Sequence, residues 1–103
     1  MYGLVFMLFV GTASAQYRVD RLITAGRSAL YYEDYVLSIK YFNLAIGAKP
    51  YLYEPWYYRS VAKFNLDDFV GAEGDANEAL KLNPYINDIY DLRAITRIRQ
   101  GRY

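Results

Sequence analysis

Apolar residues recur at intervals of three and four along most of this chain, which is the spacing of one face of an α-helix. Between residues 18 and 30 they stand at Val19, Leu22, Ile23, Ala25, Ala29 and Leu30. A second run of this kind extends over residues 35–46 and stops before Pro50, which lacks the amide proton that a continuing helix needs. The pattern therefore predicts two consecutive helices joined by a short turn at Glu33 and Asp34.

The same pattern of two helices joined by a turn recurs with a fixed period. Pro50 and Pro84 are 34 residues apart, and this shift superimposes Tyr51 on Tyr85. Three further identical pairs follow the shift, namely Asp34 with Asp68, Asn43 with Asn77, and Ala45 with Ala79. A period of this length is typical of helical hairpins that stack in a row and bury their apolar faces against their neighbours. We therefore expect the chain to hold another molecule rather than to catalyse a reaction.

The period divides the chain into units. Residues 16–52 and 53–86 each contain two predicted helices and residues 87–103 contain one, so we expect five helices in all. The last helix has an apolar stripe at Ile89, Leu92, Ile95 and Ile98. In the second unit, Gly71 and Gly74 each weaken a helix by about 1 kcal/mol relative to alanine, which predicts fraying or a close helix contact there.

The last helix supports two interpretations. Its charged residues would suit a polar terminal cap; these are Asp88, Asp91, Arg97, Arg99 and Arg102. Alternatively, Gly101 and Tyr103 align with the turn and the start of a further helix, which favours truncation of a longer array. We favour truncation, and the open stacking face that it leaves would allow self-association through the last helix.

Composition narrows the classes of function. The chain has no cysteine and no histidine, which excludes thiolate nucleophiles, imidazole bases, disulfides and zinc sites built from these residues. Lys and Arg number 12 against 11 Asp and Glu, and the net charge of +1 includes no basic block. We therefore expect no nucleic-acid partner, no metal and no cofactor.

Two pairs of adjacent carboxylates, at residues 33–34 and 67–68, are the remaining candidates for acid–base chemistry. Two carboxylates about 5 to 9 Å apart can hydrolyse a glycosidic bond. However, the two pairs occupy the same turn of successive units, which helix capping predicts and a single active site does not require. We expect Asp34 and Asp68 to cap the helices that follow them, and we expect no enzymatic activity.

The N-terminus has the features of an export signal. Residues 4–10 form an apolar run that is shorter than the ~20 residues needed to span a bilayer as a helix. The small residues Ala13 and Ala15 then fit signal-peptidase cleavage after Ala15, although no basic residue precedes the run. The alternative is a buried N-terminal helix. We predict a signal peptide over residues 1–15 and a periplasmic or secreted mature chain without stable membrane insertion.

The chain resembles the tetratricopeptide repeat family. The first unit matches the family pattern with Leu22, Gly26, Ser38, Phe42, Ala45 and Pro50, and the second with Trp56, Ser60, Ala72, Ala76, Ala79 and Pro84. The resemblance implies an all-α fold of about two and a half antiparallel helical hairpins, stacked in a right-handed superhelix. Its concave groove, lined by the first helix of each unit, would bind a peptide or a partner's segment. With its predicted signal, the chain is also similar to secreted repeat proteins of Bacteroidetes-type bacteria.

The resemblance places nine candidate partner-binding residues on this groove: Arg27, Tyr31, Tyr57, Val61, Phe64, Asn65, Asp91, Ile95 and Arg99. The surface has an apolar and aromatic centre with charges beside it, which suits an amphipathic or extended segment. Alternatively, Leu30, Phe64 and Ile98 are simply core between units. Some family members hold chaperone C-termini with a clamp of Lys and Asn, but this chain has Ile23, Arg27 and Tyr58 at the relevant places.

Aromatic residues crowd the junction of the first two units, at Tyr51, Tyr53, Trp56, Tyr57 and Tyr58. Such a cluster can stack on sugar rings, or it can seal two hairpins together with the phenolic hydroxyls reaching water. We expect a protein-interaction scaffold, and we keep two alternatives. One is a glycan-binding surface, and the other is a fragment of a larger scaffold that binds nothing itself.

Overall fold

The computed structural model describes the backbone of residues 2–102 and the side chains of residues 15–102. In that range the chain folds into five α-helices and no strand. They are α1 (Tyr2–Tyr31), α2 (Tyr35–Ala48), α3 (Tyr53–Asn65), α4 (Phe69–Leu82) and α5 (Asn87–Arg99). The predicted all-α class and the predicted number of helices are confirmed.

Helix α1 is longer than the sequence pattern indicates, because it begins at Tyr2 rather than near Arg18. No proline lies between residues 2 and 31, so nothing in this stretch blocks the backbone hydrogen-bond ladder. Most of the predicted signal peptide falls on residues 1–14, whose side chains lie outside the described part, as does Tyr103. The signal peptide therefore remains a prediction. Among the described residues, no helix combines the length and the apolar character needed to cross a membrane.

Successive helices pack against each other as antiparallel hairpins, from α1 with α2 through to α4 with α5. Contacts also join α1 to α3 and α3 to α5, whereas α2 and α4 do not touch within the described residues. The first helices of the three units consequently run parallel and lie side by side. We refer to the surface that these three helices share, the α1–α3–α5 face, as the groove.

Small residues set the distance between the helices. Ala45, Ala62, Ala72 and Ala76 are fully buried, and so is Phe42. Because Gly26 has no side chain, the Phe42 ring lies directly against the backbone of α1, where a β-carbon would overlap it. Ala76 stands where a larger residue is usual in the resembling family, yet it is fully enclosed by α3 and α5. Small residues thus let the helices approach closely, and larger side chains such as Phe42 fill the space between them.

Both predicted helix caps are confirmed. The Asp34 carboxylate accepts a hydrogen bond from the Leu37 amide at 3.2 Å, and the Asp68 carboxylate accepts one from the Gly71 amide at 2.9 Å. At Gly71, a β-carbon would collide with the Asp68 carboxylate. The close contact expected at this glycine is therefore with its own helix cap and not with another helix. Gly74 faces open space and lies in an unbroken helix.

The other member of each carboxylate pair has a backbone role. Glu33 and Asp67 adopt positive φ angles of 62° and 63°, in the left-handed region that most side chains avoid. In both turns the next amide, of Asp34 or Asp68, then donates back to the end of the preceding helix, at 2.8 and 2.9 Å. In each pair of adjacent carboxylates, the first residue forms the turn and the second caps the following helix, and this capping role is the one that the sequence predicts.

The junction between the first two units depends on Arg59 of α3. Its guanidinium donates to Asn43 of α2 at 2.8 Å and binds Asp75 of α4 through two hydrogen bonds at 2.7 and 2.8 Å. It also lies 5.0 Å from the ring of Trp56, whose indole Nε1 donates to the Pro50 carbonyl at 2.9 Å. Residues from both units and from the loop between them are therefore joined at one point.

The next junction repeats these contacts with the same period. Arg93 donates to Asn77 at 3.3 Å and lies 5.3 Å from the ring of Tyr90. The Tyr90 hydroxyl donates to the Pro84 carbonyl at 2.8 Å. The internal repeat that is visible in the sequence thus corresponds to a repeated interface, with each unit bound to the next by equivalent polar contacts.

A pair of glycine substitutions tests the packing. We expect Gly26→Ala to lower the midpoint of thermal unfolding, because the new methyl group must displace the enclosed Phe42 ring. Gly74→Ala adds the same group in open space, and should raise stability by about 0.5–1 kcal/mol through helix propensity. Circular dichroism melts of the two variants check this. Equal effects of the two changes would contradict the close contact at Gly26.

Candidate functional site

All nine predicted groove residues lie on α1, α3 or α5, and none of them is fully buried. Tyr57, Val61 and Phe64 are half-buried in the middle of the face, on α3. The other six are exposed; they are Arg27, Tyr31, Asn65, Asp91, Ile95 and Arg99. The face therefore has a partly covered central helix with accessible side chains on both neighbours.

Between α1 and α3 the groove opens into a shallow cavity of about 310 Å³. Its lining residues are Asp20, Ile23, Thr24, Arg27, Glu54 and Tyr58. The Arg27 guanidinium lies 5.1 Å from the centre of the Tyr58 ring, close enough for a cation–π contact across the two helices. The structure thus brings the predicted Arg27 together with an aromatic residue of the next unit.

Between α3 and α5 a similar contact forms near the other end of the helices. The Arg99 guanidinium lies 5.5 Å from the Phe64 ring, which in turn packs edge-on against Phe69 at 5.4 Å. Tyr57 of α3 packs against the buried cluster that includes Ile89 of α5. Burial raises the pKa of Tyr57, and the negative charges of Asp88 and Asp91 add to this effect. The predicted residues Phe64 and Arg99 are therefore neighbours, and Tyr57 lies at the same junction.

The structure separates some residues that the sequence grouped. Tyr31 is 80% exposed and its aromatic contact is with Tyr32, the next residue in the chain. Ile95 and Ile98 remain 44% and 53% exposed on α5, so Ile98 does not belong to a buried core between units. These two isoleucines leave uncovered apolar surface on α5, the last helix of the groove.

The aromatic cluster is mainly packing. Tyr53, Trp56 and Tyr57 pack against the buried cluster formed by Ala76, Ala79, Leu80 and Ile89. Tyr58 stacks on Phe42 with ring centres 5.8 Å apart. Of the five, Tyr51 is the most accessible, with 64% of its surface exposed. The cluster does not present a row of free ring faces.

Two acidic residues of α4 are neutralised inside the stack. Asp75 is bound by Arg59 at 2.7 Å and by Lys63 at 2.9 Å. Glu73 accepts hydrogen bonds from Arg97 at 2.7 Å, from Gln100 at 3.1 Å and from Arg102. The bond from Arg97, followed by those from Gln100 and Arg102, outweighs the burial of Glu73 and holds the pKa of its carboxyl at about 2. These carboxylates fasten α4 to α3 and to α5.

Three groove carboxylates, Asp20, Glu54 and Asp88, are not among the nine predicted residues. The signal that could have revealed them is the period itself, since each lies 34 residues from the next. They occupy equivalent positions of α1, α3 and α5, and Asp91 follows Asp88 about one turn later on α5. In the described part of the chain, no group of acidic residues has the arrangement of a metal site.

One solved structure with a similar fold is the first tetratricopeptide repeat domain of Spaghetti (RPAP3) bound to the HSP90 peptide SRMEEVD. It matches with a TM-score of 0.78 and 26% sequence identity, over 82% of this chain and 69% of that chain. The chain has the tetratricopeptide repeat fold. No protein-family model and no curated protein matches the sequence.

This likeness confirms the predicted fold of stacked tetratricopeptide-like hairpins. The match gives no support to the expected resemblance to secreted bacterial proteins. At the places where the sequence analysis looked for a Lys and Asn clamp, the structure has Ile23, Arg27 and Tyr58 lining the cavity between α1 and α3. Arg27 is the cation of that set, and its guanidinium lies against an aromatic ring.

The pairing of Glu73 predicts an acid-sensitive fold. Because its folded pKa lies below the ordinary value of 4.5, its ion pairs contribute stability in full above that pH and lose it as the pH falls towards about 2. We expect Glu73→Gln to cost roughly 1 kcal/mol at neutral pH, since Arg97 and Arg102 are partly in water. The difference from the wild type should vanish near pH 2.

Urea unfolding at a series of pH values measures this difference. Glu78→Gln is the matched control, because Glu78 pairs with Lys81 on the surface of the same helix. Its effect should be close to zero throughout. A cost for Glu73→Gln that did not change with pH would contradict the assigned pairing.

Proposed function

We propose that this chain is a protein-interaction module that binds a peptide, or a segment of a partner protein, along the groove. The observation that carries the proposal is the match in fold to a tetratricopeptide repeat domain whose structure contains a bound peptide. The groove itself supports it, because accessible apolar side chains of α3 and α5 lie beside charged ones on a preformed surface. The role is binding, without catalysis.

The groove suits a segment in which apolar and charged side chains alternate. Val61, Phe64 and Ile95 offer apolar area that an incoming side chain would remove from water, which is the main source of affinity in such contacts. The guanidinium groups of Arg27 and Arg99 contact the rings of Tyr58 and Phe64. These two side chains are therefore already ordered in the free protein, and they lose less conformational entropy when a segment binds. A rigid apolar centre with fixed polar neighbours favours specific recognition.

Glycan binding receives no support from the aromatic cluster. Trp56 has the Arg59 guanidinium on its ring, Tyr58 lies between Phe42 and Arg27, and Tyr53 and Tyr57 pack against the core. Tyr51 is the one residue of the five that is mostly exposed, so the cluster offers a single accessible ring and not a row of them. We therefore keep the peptide-binding role as the single proposed function. A fragment that binds nothing is the outcome that would contradict it.

We also propose that residues 1–15 direct the chain out of the cytoplasm and are then removed. The support is the short apolar run over residues 4–10 and the small residues up to Ala15. The tetratricopeptide-like hairpins would still be complete in a chain starting at Gln16, because the contacts of α1 with α2 and α3 involve its later part, including Val19 and Gly26.

A matched pair of substitutions tests peptide binding. We expect Ile95→Gln to weaken binding of peptides selected on the wild type from a random display library by about tenfold, because it removes apolar contact area. Leu44→Gln is the control, since Leu44 is similarly exposed, at 56% against 44%, but lies on α2 and away from the groove. Fluorescence anisotropy with labelled peptides measures both affinities.

Two outcomes would contradict the proposal. In one, selection enriches no peptide at all. In the other, Leu44→Gln weakens binding as much as Ile95→Gln does. Circular dichroism should confirm that both variants retain the helical content of the wild type.

Export is tested separately. When the full chain is expressed in a bacterium, we expect the intact mass of the periplasmic protein to begin at Gln16, with residues 1–15 absent. Ala15→Arg should prevent this processing, because the cleavage site requires a small residue. A cytoplasmic protein that keeps residues 1–15 would contradict an export signal and would leave the binding role untouched.

A further inference from the structure

One edge of the groove is acidic, and the rest of the fold does not use its charges. Asp20, Glu54 and Asp88 occupy equivalent positions of the repeat on α1, α3 and α5, and Asp91 follows Asp88 about one turn later. Asp20 and Glu54 line the same cavity between α1 and α3. On α5, Asp88 stands at the position equivalent to Glu54 and Asp91 at the position equivalent to Tyr57 of α3. The four carboxylates therefore line a single edge that runs across all three helices.

Within residues 15–102, none of the four carboxylates takes part in a salt bridge, although Glu73, Asp75 and Glu78 all do. Asp34 and Asp68 are engaged as helix caps, and Glu33 and Asp67 lie in the turns before them. Asp20 accepts one hydrogen bond, from Gln16 of its own helix. Arg27 lines the same cavity as Asp20 and Glu54 without forming a salt bridge to either, so the four carboxylates of the edge stand beside one cation there.

Helix stability explains only part of this row. Glu54 and Asp88 lie in the first turn of α3 and α5, where the helix dipole favours a negative charge. Asp20 is the nineteenth residue of α1, and it would be the fifth in a chain starting at Gln16. Asp91 is the fifth residue of α5. Because the dipole effect fades beyond the first turn, Asp20 and Asp91 have no such role.

Charge varies along the groove from one edge to the other. The acidic edge is followed by the apolar side chains of Val61, Phe64 and Ile95. Arg27 occupies the position of α1 that is equivalent to Val61 and Ile95, and Arg99 lies at the end of α5. A bound segment would therefore meet negative charge on one side of its apolar contacts. Opposite charges on the segment would guide its approach and fix its orientation.

We propose that the groove binds protein segments that place lysine or arginine side chains against the Asp20, Glu54, Asp88 and Asp91 edge, with apolar side chains against the adjoining apolar residues of α3 and α5. This rests on the proposed function and specifies its ligand. The groove would thus select basic amphipathic segments. The HSP90 peptide SRMEEVD in the similar structure has three acidic residues and one arginine, so it is the opposite kind of probe.

The experiment begins with selection of a random peptide display library on the full chain. We expect the enriched peptides to contain more lysine and arginine than the starting library, and SRMEEVD to bind more weakly than any of them. Affinities of the best synthetic peptide should fall steeply as salt is raised, because the contacting charges are exposed.

A charge-matched pair of double variants then assigns the effect to this edge. Asp20→Asn/Asp91→Asn removes the two carboxylates that lie beyond the first turn of their helices, and should weaken the best peptide by about tenfold. Glu33→Gln/Glu78→Gln removes the same net charge from a turn and from α4, and should change its affinity less than about twofold. Circular dichroism monitors folding of both variants.

The results distinguish this inference from the function on which it rests. Enrichment of acidic or uncharged peptides that are lost on Ile95→Gln would overturn the inference and leave the binding groove intact. Equal effects of the two double variants would also overturn it, because net charge would then explain the binding. Failure to enrich any peptide would overturn the proposed function itself.

Discussion

The stack depends above all on how one arginine joins neighbouring units. Arg59 contacts Asn43 of the unit before it, Asp75 of the helix after it and the ring of Trp56 beside it. Its bonds to Asp75 are charge-assisted and two-pronged, a geometry that fixes orientation as well as distance. Arg93 makes the equivalent contacts with Asn77 and Tyr90 one period later. Because these contacts recur in register, the first helices of successive units remain parallel and adjacent.

The groove follows from that arrangement. When α1, α3 and α5 lie side by side, residues that are far apart in the chain come together on one surface, such as Arg27 with Tyr58 and Phe64 with Arg99. Close approach at Gly26 and at the buried alanines keeps the helices near enough for these contacts. A preformed surface of this kind loses little conformational entropy when a flexible segment binds to it.

Acidic residues have two separate tasks in this molecule. Those on α4 and in the turns are used by the fold, as ion-pair partners of arginine and lysine or as caps. Asp20, Glu54, Asp88 and Asp91 lie on the groove and form no salt bridge among the described residues. Glu54 and Asp88 also suit the first turns of their helices, whereas Asp20 and Asp91 lie beyond the first turn, so the helix dipole does not explain the charges of these two.

The sequence by itself determined the five helices, the repeat and the caps, because helical periodicity, proline and the 34-residue shift are local signals that each unit shows independently. The nine candidate residues that the family resemblance places on the groove lie on α1, α3 and α5, and their role in binding stays a prediction. Only the tertiary structure decided that the aromatic cluster is packing, that Gly71 makes room for a cap, and that Asp20, Glu54 and Asp88 share an edge. These facts depend on which residues of different helices approach one another, and neither spacing nor composition contains that information.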